Sequence, residues 1–211
     1  LTPKPNAEQV LTDKIMDPII PFKEAIRRVA DISDAEAQVI FRHFKCEQLS
    51  VGDNYVKKNQ ICDYIGFIES GMLRHFYLQD GEEVTRWVSL ENEFITALGS
   101  FISGEPCSHY LQAITNCRIW TLKKVDWAVL YQTHAAIRAF WLRGLEVNIM
   151  GFEDRIYQQL AGDAEQRYLF FITKYPAFLE KVPQKYIASM IGIKPESLSR
   201  LRKKLSKKGI S

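Results

Sequence analysis

Between Cys46 and Lys124 the chain is cut into short runs rich in β-branched and aromatic residues: CEQLSV, YIGFIES, MLRHFYL, EVTRWVSL, SHYLQAI and RIWTL. Gly52-Asp53, Ser70-Gly71, Asp80-Gly81 and Asn116 punctuate them. Many short strands at such spacing predict a small antiparallel barrel or jelly roll rather than an α/β sheet. Asp80-Gly81, between two alternating runs, predicts a tight hairpin, because both residues tolerate a positive φ.

The flanks have helical periodicity. Residues 1–20 hold Pro3, Pro5 and Pro18 and read as a loose tail leading into a first helix near Phe22 to Ala30. A second helix is expected over Ser33 to Phe44, with Ser33 as its cap, Glu36 at capping-box spacing, and Ala37, Ile40, Phe41 and Phe44 on its apolar face. Val125 to Leu160 reads as helical again. Ile137, Trp141, Leu145, Ile149, Phe152 and Ile156 recur every three or four residues, a seam that suggests a dimerisation helix; the alternative is a helix packed only on its own barrel. Gly144 and Gly151 weaken this helix but admit close approach of a partner. Gly162 can stop it and Asp163 can cap the next, whose stripe is Tyr168, Leu169, Phe171 and Ile172, ending at Tyr175-Pro176. A hinge is expected near residue 162.

The last thirty residues, VPQKYIASMIGIKPESLSRLRKKLSKKGIS, read as helix, tight turn, helix. Pro183 and Pro195 can each open a helix, and Gly192 sits where the reversal needs a positive φ. Leu198, Leu201 and Leu205 share one face of the second helix, while Glu196, Arg200, Lys203 and Lys207 share the opposite one. Residues 181–211 carry nine Lys or Arg against the single acid Glu196, although the whole chain has a net charge of only +3. Such localised positive charge is the electrostatic footprint of a polyphosphate partner.

IASMIGIKPESLSRLRKKL resembles the DNA-binding helix pair of the cyclic-AMP receptor protein and fumarate-nitrate regulator (Crp/Fnr) family of bacterial transcription regulators, and the upstream chain resembles that family along nearly its whole length. The resemblance implies that Glu196, Ser197 and Arg200 reach base edges in a major groove. Arg reads guanine through two parallel hydrogen bonds and a carboxylate accepts from cytosine. Lys203 and Lys207 are then expected to act on any duplex, through the phosphates. Two departures stand out. Lys194 occupies the position before Pro195 where a Ser or Thr cap belongs, a loss of about 1 kcal/mol. No obvious hairpin wing follows before Ser211.

The barrel span resembles that family's cyclic-nucleotide-binding fold, in which a short helix supplies a Glu to the ribose and, about ten residues on, an Arg-Ser pair grips the cyclic phosphate. Aligning EFITALGSFISGEPCSHYLQA puts Ala97 where the Glu belongs, and Cys107 beside Ser108 where the pair belongs. The ligand pocket at Ala97, Cys107 and Ser108 is therefore degenerate. Binding of cyclic AMP or cyclic GMP is not expected, because a neutral thiol cannot compensate a phosphate taken out of water. Arg74 and Arg86, on neighbouring strands, read as surface arginines; the alternative is that one faces inward and holds another anion.

Other chemistries find little support. Cys46, Cys62, Cys107 and Cys117 lie far apart, read as buried reduced thiols, and do not form the clustered N-terminal set that carries an iron–sulfur centre in some Crp/Fnr regulators. His43, His75, His109 and His134 are scattered, without the H-x-H pairing of a cupin metal site, and nucleophile elbows and Gly-rich phosphate loops are absent from the sequence. Neither a catalytic role nor a cofactor nor a metal is expected. No apolar run approaches the roughly 18 residues of a membrane span, and LTPKPNAEQV lacks the pattern of a secretory signal, so a cytoplasmic protein is expected.

The expected organisation is α+β: a tail over 1–20, a barrel sensor over 21–130, a dimerisation helix over 131–161 and a winged-helix-like helix-turn-helix module over 162–211. The expected partners are double-stranded DNA with a near-palindromic operator and a second copy of the chain, with RNA polymerase as a candidate third. A different class also fits: a ligand- or protein-binding barrel whose basic segment contacts RNA or an acidic partner.

Overall fold

A computed structural model describes residues 17–207; most of the tail expected over 1–20, and any wing beyond Lys207, lie outside that range. Helix α1 (Ile19–Arg27) begins earlier than the periodicity suggests. Pro18 and Pro21 fall at its start, where a missing amide proton costs nothing, and Asp17 Oδ1 accepts from the Ile19 amide at 3.1 Å. Helix α2 (Asp34–Phe41) starts as expected, with Ser33 Oγ accepting from the Glu36 amide at 3.1 Å. The reciprocal half of the expected capping box does not form, because the Glu36 carboxylate instead meets His134 Nδ1 at 3.1 Å.

Eight strands follow: β1 (Lys45–Leu49), β2 (Asn54–Val56), β3 (Tyr64–Ser70), β4 (Leu73–Gln79), β5 (Glu82–Ser89), β6 (Phe94–Ile95), β7 (Tyr110–Ala113) and β8 (Cys117–Lys123). Helix α3 (Leu98–Ser103) lies between β6 and β7. The strands form two antiparallel sheets ordered β1-β8-β3-β6 and β2-β7-β4-β5, a jelly roll. The β4–β5 turn is built on Asp80 (φ +52°) and Gly81 (φ +82°), with Gln79 opposite Glu82. Fully buried Ile68, Leu73, Leu111 and Ile119 fill the space between the sheets. A second cluster joins the roll to the N-terminal helices through Phe22, whose ring centroid lies 4.9–5.6 Å from those of Phe41, Phe44, Phe67 and Phe94. Each such side chain removed from water contributes about 1.5–3 kcal/mol.

The stretch expected to be helical over Val125 to Leu160 is divided into two helices. α4 (Lys124–Thr133) and α5 (Ala135–Ala161) are separated by His134 in an extended conformation. Arg138 Nη1 closes the break by donating to the carbonyls of Tyr131 and Gln132 at 3.0 and 2.9 Å, which satisfies acceptors at the end of α4. At 1.5 Å per residue, the 27-residue α5 spans about 40 Å. It gives way at Gly162 to α6 (Ala164–Lys174), where Asp163 and Gln166 form a full capping box with bonds of 2.8 and 2.9 Å. Helices α7 (Pro176–Lys181), α8 (Gln184–Met190) and α9 (Pro195–Ser206) complete the described chain.

The C-terminal helices do not stand apart from the roll. Tyr168, Phe171, Phe178, Ile187, Leu198 and Leu205 share one core with Val88 of β5 and with Leu90 just after it. Strand β5 is an edge strand whose free amides need partners. Helix α8 covers it, and Thr85 N donates to Ser189 Oγ at 2.8 Å.

Candidate nucleic-acid interface

Helices α8 and α9 are joined by a turn whose hydrogen bonds explain its sequence. Gly192, at φ +69°, donates its amide to Ser189 O at 3.0 Å, and Ile193 N donates to Ala188 O at 3.0 Å. This is the paired bonding of a Schellman cap, which needs a residue that tolerates positive φ just past the helix end. Pro195 then opens α9, and Lys194 at its N-cap supplies no side-chain oxygen, in keeping with its type.

The apolar stripe of α9 does what its spacing implies: Leu198 and Leu205 are each 1% exposed and Leu201 is half-buried. The opposite face presents Glu196, Arg200, Lys203 and Lys207 to solvent, with Ser197 half-exposed beside them. Arg200 Nη2 lies 3.2 Å from Ser197 Oγ, one turn apart on the same face. Two further cations on α9 have other roles. Lys204 forms an ion pair with Glu165 at 2.6 Å, tying α9 to α6, and Arg202 is half-buried. The face opposite the leucines therefore carries one acid, one hydroxyl and three cations that form no ion pair among the described residues.

The seam expected on α5 divides between two surroundings. Ile137 is buried and Trp141 half-buried, and both belong to the core beneath the roll, with the Trp141 ring 5.1 Å from that of Trp127. Leu145 and Phe152 are half-buried, while Ile149 is 64% exposed and Ile156 is exposed as well. Ile137 and Trp141 are thus intramolecular contacts, and the exposed stripe runs instead through Leu142, Ile149, Ile156 and Leu160. Leu142, Ile149 and Ile156 follow at sevens, with Leu145 and Phe152 three residues after the first two. That is the a/d pattern of a coiled coil.

Where a cyclic phosphate would be gripped, Ala97 is buried at the N-cap of α3, Cys107 is buried with its Sγ 3.2 Å from His109 O, and Ser108 is exposed. Burial pushes the Cys107 thiol up, so it stays protonated. Arg74 is not a surface arginine: it is 7% exposed, pairs with Glu83 at 2.6 Å and Gln112 Oε1 at 2.7 Å, and lies over the rings of Phe76 and Tyr186. Arg86 is half-buried, with its guanidinium 5.1 Å from the Phe152 ring. His75 and His109, far apart in sequence, stack at 5.8 Å. Cys46 is exposed rather than buried; the other three thiols are buried and free. Among the described residues no three His, Cys, Asp or Glu side chains gather as metal ligands, and no helix is long and apolar enough to cross a membrane.

Residues 46–134 match the cyclic nucleotide-binding domain family. Comparison with curated proteins finds no significant match. Among solved structures the chain is similar to a CooA mutant from Carboxydothermus hydrogenoformans (TM-score 0.67, 17% identity, covering 81% of this chain and 80% of that one). It is also similar to FixK2 from Bradyrhizobium japonicum (TM-score 0.67, 15% identity, 79% and 86%). A third is a putative transcriptional regulator of the Crp/Fnr family from Eubacterium rectale (TM-score 0.60, 17% identity, 85% and 86%). Residues 46–134 thus match the cyclic nucleotide-binding domain family, within a chain whose fold is similar to that of a Crp/Fnr-family regulator, of FixK2 and of CooA.

Proposed function

We propose that the protein is a sequence-specific DNA-binding transcription regulator that acts as a homodimer on a near-palindromic operator. The observation that carries this reading is the two-faced α9. Its leucines anchor it in the C-terminal core, and Glu196, Ser197, Arg200, Lys203 and Lys207 are left facing solvent on one cationic surface. Arg200, Glu196 and Ser197 read base edges, while Lys203 and Lys207 neutralise phosphates. The heptad stripe of α5 pairs two copies, which sets their recognition helices about 34 Å apart in successive major grooves. The signal changes the relative pose of the two recognition helices, with a hinge near residue 162. Cyclic AMP and cyclic GMP are not that signal, because Ala97, Cys107 and Ser108 offer no charge to a phosphate. The protein works in the cytoplasm and has no catalytic role, and RNA polymerase is the natural recipient of its output.

Gel-shift titrations at several salt concentrations test the assignment. Arg200→Ala should cost about 1–3 kcal/mol on cognate DNA and relax preference at one base pair per half-site. Lys203→Ala or Lys207→Ala should weaken binding to all duplexes and reduce the salt slope by about 1. Equal losses on cognate and scrambled DNA for Arg200→Ala would refute its base-reading role.

A further inference from the structure

Helix α5 does not lie flat on the roll. A cleft of about 450 Å³ separates them, a size suited to a small organic molecule. Its apolar walls include Phe94 from the roll side and Phe140, Trp141, Leu145 and Phe152 from α5. Gly144 also faces the cleft, and a Cβ added there would meet no atom within 4 Å. Neither Ala97, Cys107 nor Ser108 lines it.

One end is polar. His75 lines the cleft and is 6% exposed; its Nε2 lies 3.3 Å from Ser89 Oγ, and its Nδ1 has no partner among the described residues. Burial, reinforced by the charge of Arg86, holds His75 well below the usual imidazole range, so the ring is neutral. The buried Nε of Arg86 likewise lacks a partner, and its Nη1 donates a long bond to Tyr77 Oη at 3.4 Å. Arg155 reaches in from α5, lies over the Trp87 ring and donates to the Arg86 carbonyl at 2.6 Å. Neither guanidinium forms an ion pair among the described residues. Two half-buried cations and an unpartnered buried imidazole nitrogen converging on an apolar cleft are unfavourable when the cleft is empty. An acid group on an apolar body offsets the charge of the two guanidiniums while its body covers the apolar walls. Glu93, also in the lining, opposes a multiply charged ligand: burial pushes its carboxyl up to about 7, so it carries part of a negative charge near neutral pH.

We propose that this cleft binds a small amphiphilic carboxylate, its acid group held by Arg86 and Arg155 beside His75 and its aromatic or aliphatic body lying against Phe140, Trp141 and Leu145. The inference deepens the sensor reading above by naming the chemistry of the signal. Because α5 supplies both a wall of the cleft and the stripe for pairing, an occupant bears directly on the helix that joins two copies.

Titration calorimetry on the full chain without DNA tests it, with 2-naphthoate and decanoate as the aromatic and aliphatic probes. Inorganic phosphate, cyclic AMP and the neutral 2-naphthalenemethanol are the controls. At least one acid should saturate one site per chain in the micromolar range, the alcohol should bind at least about tenfold more weakly, and phosphate and cyclic AMP should not bind at about 1 mM. Arg155→Gln should weaken the acid by at least about tenfold, and Gly144→Leu, which fills the cleft from α5, should abolish binding even if the Arg155 variant does not fold. Absence of saturable binding by both acids, parity between acid and alcohol, or binding of phosphate as tight as that of the acid would overturn the proposal. A chain that binds the acid but no duplex would keep this inference and lose the regulator reading; the reverse outcome would do the opposite.

Discussion

Replacing Ser189 by alanine should loosen α8 from the edge of the roll. Ser189 Oγ accepts the Thr85 amide at 2.8 Å and returns a longer bond to the Thr85 carbonyl at 3.4 Å. Thr85 is only 2% exposed, so water does not readily replace the missing hydroxyl. A buried amide left without a partner costs about 1–3 kcal/mol, more than the roughly 1 kcal/mol net value of an ordinary hydrogen bond. Alanine keeps the Cβ, so the cavity contribution is small. The expected loss is therefore about 1–3 kcal/mol, concentrated at the α8–β5 contact. Urea unfolding reads the global change. Amide hydrogen exchange reads its location, with Thr85 expected to exchange about 5- to 150-fold faster while amides in β3 and β8 keep their protection. Ser199→Ala, an exposed position on α9, should leave both measurements unchanged. A Ser189→Ala protein within about 0.5 kcal/mol of the parent, with Thr85 equally protected, would refute the view that this hydroxyl holds the helix pair on the roll.

Glutamate at both Ile149 and Ile156, exposed on the roll-free side of α5, should leave the chain folded by circular dichroism but monomeric in sedimentation; a persisting dimer would place the pairing surface elsewhere. Leu198→Ala, at a fully buried site, should lower stability by about 2–5 kcal/mol in denaturant titrations. Asp163→Ala removes half of the α6 capping box and should cost about 1 kcal/mol in the same assay. Glu93, pushed up to about 7 from an ordinary value of 4.5, favours folding fully below pH 4.5 and loses that contribution as pH rises through 7. Glu93→Gln should therefore gain stability relative to the parent at pH 8 and show no such gain at pH 4; equal differences at both would contradict a buried, proton-retaining carboxyl.

The elements whose patterns are local were legible before any coordinates. Alternation found the six longer strands, but β2 and β6, with three and two residues, are too short to show a period. Gly192 and the leucines of α9 marked the helix pair, because a Schellman turn and an amphipathic helix are both written within a dozen residues. The α5 seam shows how a local pattern misleads. Steps of four advance 400°, so a row followed by fours drifts around the helix. Ile137 and Ile149, twelve residues apart, end up about 120° apart, one against the roll and one in solvent. A count by sevens would have picked out Leu142, Ile149 and Ile156. Arg74 could not be placed from its own strand, since its neighbours include Gln112 and the ring of Tyr186, the latter more than a hundred residues later. The pairing of Thr85 with Ser189, and of Arg86 with Arg155 across the cleft, is equally non-local. No period within one strand records which helix will cover it.

Selection of bound fragments from random double-stranded DNA, followed by footprinting of the enriched sequence, bears most directly on the role of α9 and α5 together. Two inverted half-sites centred about 34 Å apart, protected by one dimer, are the expected outcome. Failure to enrich any sequence, or protection of a lone half-site by a single chain, would contradict it.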